Sequence, residues 1–322
     1  MAQEILIDTE HLYRYYGPTC AVQDVSFQLA KGDVLGFLGP NGAGKSSTMQ
    51  MLTGNLAPSA GKIRVRGIDL LDNPKRAKHE LGYLPEQPPL YREHTVDEFL
   101  TYCGRLHRVS GNRLRVAVDQ AKQRCGLGAV GRRLIGNLSK GYQQRVGIAQ
   151  AILHNPAVVI LDEPTVGLDP IQIREIRGLI RELGNDHGII LSTHILPEVQ
   201  GVCNRLQIIN RGRLVFSDTM AGLEQQLHSQ HLIVRLRNAP APAELQQLPG
   251  VAAVEMLDDG RLRLRYDGTN PAEAIAETAV TRQWGLEELI PERRTLEQIF
   301  IELTMQDTHM DAGTHPAETE AA

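Results

Sequence analysis

An eight-residue loop near the start of the chain constrains the fold more than any other feature. Residues 39–46 read Gly-Pro-Asn-Gly-Ala-Gly-Lys-Ser and directly follow the apolar run Val34–Leu38, so a strand, a G-x-x-x-x-G-K-S loop and a helix beginning near Gly44 are predicted. The glycines permit a tight turn that gathers backbone N–H groups around an oxyanion. The positive end of the helix dipole points to the same place. We therefore expect a phosphate-binding loop rather than a turn without a ligand.

Different residues of this loop are expected to contact different parts of a nucleotide. Lys45 supplies a positive charge for the β- and γ-phosphates and is a candidate catalytic residue, and the Ser46 hydroxyl is a candidate Mg²⁺ ligand. The predicted phosphate-binding residues are Gly39, Pro40, Asn41, Gly42, Ala43, Gly44, Lys45, Ser46 and Ser47.

Further along the chain, strand and helix patterns alternate, which predicts an α/β sheet with crossover helices. The continuous apolar runs Ala157–Leu161 and Gly188–Leu191 indicate buried parallel strands, whereas the alternation in Ala21–Leu29 and Lys62–Arg66 indicates half-buried antiparallel strands. Helices are predicted at Thr95–Val109, Asn112–Cys125, Ser139–Leu153 and Ile171–Leu183. The first domain, residues 1–222, thus combines an α/β core with an antiparallel β subdomain and a helical insertion at about 88–138.

A second, smaller α+β domain is expected over residues 229–305, in the order β-α-β-β-α. Its predicted elements are a strand at His231–Arg237, a helix ending at Leu248, strands at Val251–Leu257 and Arg261–Tyr266, and helices at Pro271–Gln283 and Leu296–Thr304. The carboxylates of Asp258, Asp259, Glu287 and Glu288 are interpreted as solvated turn and surface charges. The polar, acidic residues 306–322 are expected to be a disordered tail.

The composition excludes several classes of protein. A net charge of −4 gives no strong field for nucleic acid. No apolar run is long enough to span a bilayer, and we find no signal peptide. Four scattered cysteines without a CxxC pair are typical of a reducing cytoplasm. We therefore expect a cytoplasmic location and no nucleic-acid partner.

Two adjacent carboxylates, Asp162 and Glu163, follow the second buried strand. Because successive strand side chains point to opposite faces, the two acids are expected to have different roles. Asp162 is assigned to the metal and Glu163 to polarising a water beside the γ-phosphate. The alternative is a strand end that caps a helix, and the phosphate loop favours the catalytic interpretation.

Four segments in a fixed order resemble the nucleotide-binding subunit of ATP-binding-cassette (ABC) transporters. They are Leu138-Ser-Lys-Gly-Tyr-Gln-Gln144, Asp162-Glu-Pro164, Gly167-Leu-Asp169 and Ser192-Thr-His194, and the resemblance covers residues 4 to about 220. It implies that ATP and Mg²⁺ are bound. It also implies that Ser139, Gly141 and Gln143 face the γ-phosphate of a second copy, that Asp169 crosses the dimer interface, and that His194 contacts the γ-phosphate.

The adenine contact is assigned through the same resemblance to Tyr16, on its spacing ahead of the phosphate loop. Base–aromatic stacking is worth about 1–3 kcal/mol. Tyr13 and Tyr15 remain competing candidates for this contact, and any of the three can instead serve the core.

Two residues depart from the family pattern. Lys140 stands where the signature loop usually has glycine, and a cation is electrostatically compatible with a nearby phosphate. Glu86 stands where a glutamine usually contacts the metal, with Gln87 adjacent, and the sequence does not decide which of the two serves as the metal contact. Both departures are similar to those of export-type drug-resistance and gliding-motility ATPases.

The resemblance implies an ATP-hydrolysing subunit that forms a head-to-tail dimer around ATP. It drives a separate membrane permease, to which it binds on the inner face of the cell membrane, with export of a multidrug-like or hydrophobic substrate favoured. The alternative is a soluble mechanochemical ATPase of the same family that acts on nucleic acid or ribosomes, although the interval between the phosphate loop and the signature is too short for a coiled coil. A nucleotide kinase shares only the phosphate loop.

Overall fold

The computed structural model describes residues 3–293 and 295–310, with side chains left out at 224–229, 293, 303–304 and 306–310. The chain divides into two compact units, the first made up of the chain to Met220 with the residues from Gln306, and the second covering Ala221–Met305. Each unit has its own apolar core.

The first unit contains two sheets and the helices that cover them. Its strands are β1 (Ile5–Tyr16), β2 (Thr19–Ala30), β3 (Val34–Leu38), β4 (Ala60–Val65), β5 (Ile68–Asp69), β6 (Leu81–Leu84), β7 (Val158–Asp162), β8 (Gly188–Thr193), β9 (Arg205–Asn210) and β10 (Arg213–Thr219). Its helices are α1 (Lys45–Leu52), α2 (Pro74–His79), α3 (Val96–Leu106), α4 (Asn112–Arg124), α5 (Lys140–Ile152), α6 (Pro170–Leu183) and α7 (Leu196–Val202), and α8 (Met220–Leu227) follows at the boundary.

The central sheet has the strand order β10-β9-β3-β8-β7-β6. All neighbours are parallel except β10, which runs antiparallel to β9. Every residue of β3, β7 and β8 is buried, which explains their continuous apolar sequences. Leu38 pairs with Thr193 and Asp162 pairs with Ser192. The carboxyl ends of these three strands therefore meet at one edge of the sheet.

The second sheet of this unit is antiparallel, in the order β2-β1-β4-β5. Its inward residues Leu12 and Ile63 share one core with Phe37 of the central sheet and Met49 of α1. The predicted fold class, an α/β cassette with an antiparallel β subdomain, is confirmed. The sequence pattern missed β1, because shifts of register with both neighbouring strands break its alternation.

The segment between β6 and α5 is helical, as predicted. Helix α3 begins at a capping box in which Thr95 and Glu98 bond to each other's backbone N–H. Helix α4 and two short 3₁₀ turns, Gly128–Val130 and Ile135–Asn137, lead back to α5. The insertion therefore returns the chain to the central sheet with Ser139 at the N-cap of α5, also as predicted.

The second unit is a four-stranded antiparallel sheet with helices. Its elements are β11 (His228–Leu236), α9 (Pro242–Gln246), β12 (Val251–Met256), β13 (Leu262–Tyr266), α10 (Ala272–Thr281), β14 (Leu286–Arg293) and α11 (Leu296–Met310). The strand order β12-β13-β11-β14 is that of a ferredoxin-like β-α-β-β-α-β fold. Trp284 is buried in its core.

One detail of the predicted second domain was wrong. The predicted order lacked β14, because Pro291 and the adjacent acids Glu287 and Glu288 obscure a strand that lies at the sheet edge, where proline is tolerated. A disordered tail is predicted over residues 306–322, and α11 extends into its first five residues, to Met310. Residues 311–322 of that tail lie outside the described residues.

Candidate nucleotide-binding site

The phosphate loop connects β3 to α1 and adopts a backbone that requires glycine. Gly44, the N-cap of α1, has φ 105°, and a Cβ there would lie 2.5 Å from the carbonyl oxygen of Ala21. Gly42 also has positive φ. The Gly212 N–H donates to the carbonyl of Ala43, which ties the loop to the turn between β9 and β10. Asn41, Gly42 and Ser46 are exposed, so this surface is open to a ligand.

Lys45 is the first residue of α1 and is buried beneath the loop. Its Nζ donates to the carbonyls of Gly39 at 2.8 Å and Pro40 at 3.2 Å. The same Nζ lies 3.7 Å from Oε1 of Glu163. The ammonium is thus held at the centre of the loop by backbone oxygens and one carboxylate.

Asp162 ends β7 with a buried carboxylate that is only partly satisfied. None of the described residues forms a hydrogen bond with its Oδ1. Burial raises the pKa of Asp162, the charges of Glu163 and Glu86 add to that shift, and Lys45 opposes it. A carboxylate oxygen without a protein partner is a suitable Mg²⁺ ligand. The donor set of Asp162 with the exposed Ser46 hydroxyl therefore fits this metal.

Glu163 adopts an unusual backbone conformation. Its φ is 47°, in the left-handed region that costs a non-glycine residue of order 1–3 kcal/mol. Its N–H donates to the carbonyl of Ser192 at 2.9 Å, which fixes the turn against the end of β8. The side chain is buried, and Nδ1 of His194 lies 3.0 Å from Oε2. The structure therefore brings Lys45, Glu163 and His194 together, although they lie far apart in sequence.

Tyr16, one of the three candidate adenine contacts, lies beside Ser47. Its hydroxyl is 3.4 Å from Oγ of Ser47, and the Arg14 guanidinium lies 4.8 Å from its ring centroid. Tyr13 and Tyr15 stack on each other instead. The exposed Tyr16 ring can therefore offer an aromatic surface beside α1.

The signature residues form a separate surface at the start of α5. The N–H of Tyr142 donates to Oγ of Ser139, and the Gln143 amide donates to the carbonyls of Ile135 and Leu138. Gly141 packs closely on Gln172 of α6, because a Cβ there would lie 2.7 Å from the Gln172 side chain. None of the hydrogen bonds described for these residues reaches Lys45 or Glu163.

Two neighbours of the signature loop have defined local positions. Asp169 is the N-cap of α6 and accepts a hydrogen bond from the N–H of Gln172 at 2.9 Å. The Lys140 side chain lies against Gly167, in the loop that leads to Asp169. The cation that replaces glycine in the signature thus faces the loop after β7.

Glu86 and Gln87 are both exposed and line a cavity of about 530 Å³ that Lys140 and Gln143 also line. The charge of Glu86 contributes to the raised pKa of Asp162, so Glu86 is close enough to act electrostatically on that carboxylate. Gln87 lines the same cavity, and both residues remain candidates for the metal contact.

A buried carboxylate near the edge of the central sheet that bears Glu163 and His194 was missed in the sequence analysis. Glu198, in the first turn of α7, is 1% exposed and accepts hydrogen bonds from the hydroxyls of Thr165 and Thr193. The available signal was position: this acid lies four residues after His194, in the first turn of a short helix whose other residues are mostly apolar.

The phosphate loop, the acids at the strand ends and the sheet order define a nucleotide-binding cassette. The ABC transporter family model matches residues 22–166. The bacitracin transport ATP-binding protein BcrA of Bacillus licheniformis is 37% identical over 212 residues, which cover 65% of this chain and 68% of BcrA. The chain therefore belongs to the ABC transporter family and is an ABC transporter ATP-binding protein, as the motifs predicted.

Two further similarities define the extent of the match. The linearmycin resistance ATP-binding protein LnrL of Bacillus subtilis is 28% identical over 306 residues, which cover 93% of this chain and 98% of LnrL. The solved structure of cbiO1 from Clostridium perfringens, part of the ABC transporter complex cbiONQ, is 26% identical with a TM-score of 0.63, and the match covers 70% of this chain and 95% of cbiO1. Among the described residues, none of the helices is long and apolar enough to cross a membrane.

Proposed function

We propose that this chain hydrolyses ATP to drive a separate membrane permease. One observation carries the proposal: Glu163 lies 3.7 Å from the Lys45 ammonium and 3.0 Å from the His194 ring, at the sheet edge that bears the phosphate loop. A base, a phosphate-binding cation and an imidazole at one edge can together support in-line attack of water on a γ-phosphate.

Each group has a distinct part in this chemistry. Glu163 polarises the attacking water, and His194 fixes the orientation of its carboxylate. Lys45 and the N–H groups of the loop stabilise negative charge that develops on the phosphate oxygens. When bound, Mg²⁺ supplies further positive charge there, held by Ser46 and Asp162 with Glu86 or Gln87.

A second copy of the chain completes the site in this proposal. Ser139, Gly141 and Gln143 lie at the N-terminal end of α5, where backbone N–H groups and the helix dipole favour an anion. Since none of the hydrogen bonds described for them reaches the chain's own Lys45 or Glu163, we assign the phosphate they bind to a partner copy. Asp169, exposed at the start of α6, is assigned to the dimer interface.

The permease and the direction of transport are inferred from relatives. Relatives are named for bacitracin transport and linearmycin resistance, and cbiO1 is part of a transporter complex. We assign residues 1–222 to the nucleotide-binding domain, residues 229–305 to an accessory domain, and export to the assembled transporter. The cassette binds the inner face of the membrane through the permease.

The Glu163→Gln variant tests the hydrolytic site. We expect turnover to fall by about 100-fold or more, the usual contribution of a general base, while ATP binding is kept and the dimer accumulates. Size-exclusion chromatography with ATP and a phosphate-release assay measure both effects. Glu182→Gln, at an exposed position on α6, is the matched control. A Glu163→Gln chain that stays monomeric with ATP, or that hydrolyses ATP at the parental rate, would contradict the assignment.

A pull-down from mildly solubilised membranes tests the permease. We expect a polytopic membrane protein to co-purify with the tagged chain in equal amount. Recovery from the soluble fraction alone, with ribosomes or nucleic acid, would instead favour the mechanochemical ATPase.

A further inference from the structure

A buried carboxylate joins the two loops that carry Glu163 and His194. Oε2 of Glu198 accepts a hydrogen bond from Oγ1 of Thr193 at 2.7 Å, and Oε1 accepts one from Oγ1 of Thr165. Thr193 directly precedes His194, and Thr165 follows Glu163 by two residues. One side chain on α7 therefore bonds to both loops at once.

Because Glu198 is buried, its carboxylate depends on these two hydroxyls for stabilisation. Glu198 is 1% exposed, Thr165 is 3% exposed and Thr193 is fully buried. Within the described part of the chain, Glu198 has no ion pair with a lysine or arginine. A buried anion without a cation depends on its hydrogen-bond donors, so each donor is expensive to remove.

Each threonine also accepts a hydrogen bond from the backbone of the residues that follow it. Oγ1 of Thr193 accepts a hydrogen bond from the N–H of Ile195 at 3.1 Å while it donates to Glu198, so it also orders the backbone on the far side of His194. Thr165 lies in the turn that follows the left-handed backbone of Glu163, and its carbonyl accepts from the N–H of Leu168. The bonds to Glu198 thus tie a strained turn to the end of β8.

We propose that Glu198 is a positioning residue for ATP hydrolysis that sets the spacing between the Glu163 carboxylate and the His194 ring. Glu198 is not a catalytic residue, since its oxygens are occupied by the two threonine hydroxyls. A displacement of about 1 Å at a reacting group can cost about 100-fold in rate. The inference rests on the proposed function, in which Glu163 acts on the attacking water.

Threonine variants test this role with little change of shape. Thr165→Val and Thr193→Val remove the hydroxyl and keep the volume, whereas Thr165→Ser and Thr193→Ser keep the hydroxyl. Each valine variant is expected to lower kcat by about 10- to 100-fold, with the KM for ATP changed less than about 3-fold. Each serine variant is expected to recover at least a third of the parental kcat.

Thr53→Val is the matched control for the loss of a buried threonine hydroxyl. Its Oγ1 donates to the carbonyl of Met49 within the end of α1, away from Glu198. We expect it to lower the thermal midpoint and leave kcat within about 2-fold. If it lowers kcat as much as Thr193→Val does, the effect is general destabilisation and the inference is wrong.

The remaining outcomes separate the inference from the proposed function. Parental kcat in both valine variants, with hydrolysis lost in Glu163→Gln, overturns the role of Glu198 and keeps the proposed function. Parental kcat in Glu163→Gln overturns the proposed function itself. Should a valine variant fail to fold, the serine variant and Glu198→Gln decide: serine must keep turnover, and Glu198→Gln must lose kcat at unchanged KM.

Discussion

Two sets of charged side chains, one in each unit of this molecule, differ in how far they are buried. At the edge of the central sheet, Lys45, Asp162, Glu163 and Glu198 are between 1% and 7% exposed. On the sheet of the second unit, Arg263 bonds to Glu292 at 2.7 Å with side chains that are 36% and 24% exposed. Burying an ion costs several kcal/mol, whereas a surface pair contributes about 0–1 kcal/mol. Burying the first set costs folding free energy, which indicates that these residues have a catalytic or binding role. The second set is typical of an ordinary protein surface.

The largest expected effect in this comparison is on Lys45. Lys45→Ala removes the cation beneath the loop and leaves the buried Glu163 carboxylate without its ion pair, so we expect ATP binding to be lost. Isothermal titration calorimetry measures it, and Lys75→Ala, at an exposed position on α2, is the control. Micromolar ATP binding by the Lys45 variant would show that another group anchors the phosphates.

The next-largest expected effect is on stability at low pH, and it arises from a buried histidine of the first unit. Burial lowers the pKa of His154 to about 3, and nearby His107 adds to the shift. The folded state therefore keeps His154 neutral, and the unfolded chain takes up a proton near its ordinary value of 6.5. Its contribution to stability is complete above pH 6.5 and is lost on acidification towards pH 3, at about 1.4 kcal/mol per pH unit.

The variant that tests this behaviour is His154→Gln. Urea unfolding, followed by far-UV circular dichroism at several pH values, is expected to show a shallower fall in unfolding free energy than for the parent. Equal slopes for the two chains would mean that His154 does not contribute to acid unfolding.

Asp162→Asn is expected to have a smaller effect on stability, and to raise the melting temperature rather than lower it. Asp162→Asn replaces a buried charge that has one unpartnered oxygen, so the nucleotide-free chain is expected to melt at a higher temperature, by about 2–4 °C for each kcal/mol gained. Magnesium-dependent ATP turnover should be lost. Differential scanning calorimetry with and without MgATP measures both, and a lower melting temperature without nucleotide would refute a cost of the buried charge.

The smallest expected effect lies in the second unit. Arg263→Gln removes the bonds to Glu292 at 2.7 Å and Glu255 at 3.3 Å, and we expect unfolding to change by less than about 1 kcal/mol. A loss of more than about 2 kcal/mol in urea unfolding would mean that exposed pairs hold this sheet together, and the contrast between the units would fail.

Local sequence patterns predicted the parts of the fold that depend on neighbours in the chain. The apolar runs of β3, β7 and β8 identify buried parallel strands, and their shared edge then predicts that Lys45 and Glu163 lie near each other. Glu198 could not be predicted in this way. Its burial depends on Thr165 and Thr193, which reach it from two other strand ends, and on sequence alone it is an ordinary acid in a first helical turn.

The strand β14 illustrates the same limit. Pro291 and two adjacent glutamates argue against a strand, and only pairing with β11 at a sheet edge makes the segment acceptable. Where neighbouring residues give conflicting evidence for a strand, as here, tertiary contacts determine the secondary structure.

Trp284 is the only tryptophan in the chain, and it is buried in the core of the second unit with the Arg282 guanidinium 5.6 Å from its ring. Intrinsic fluorescence excited at the red edge therefore reports on this unit alone, without any label. A change in that emission on adding ATP to the first unit would be a direct optical measure of communication between the two, and its absence would show that nucleotide binding is not transmitted to the indole.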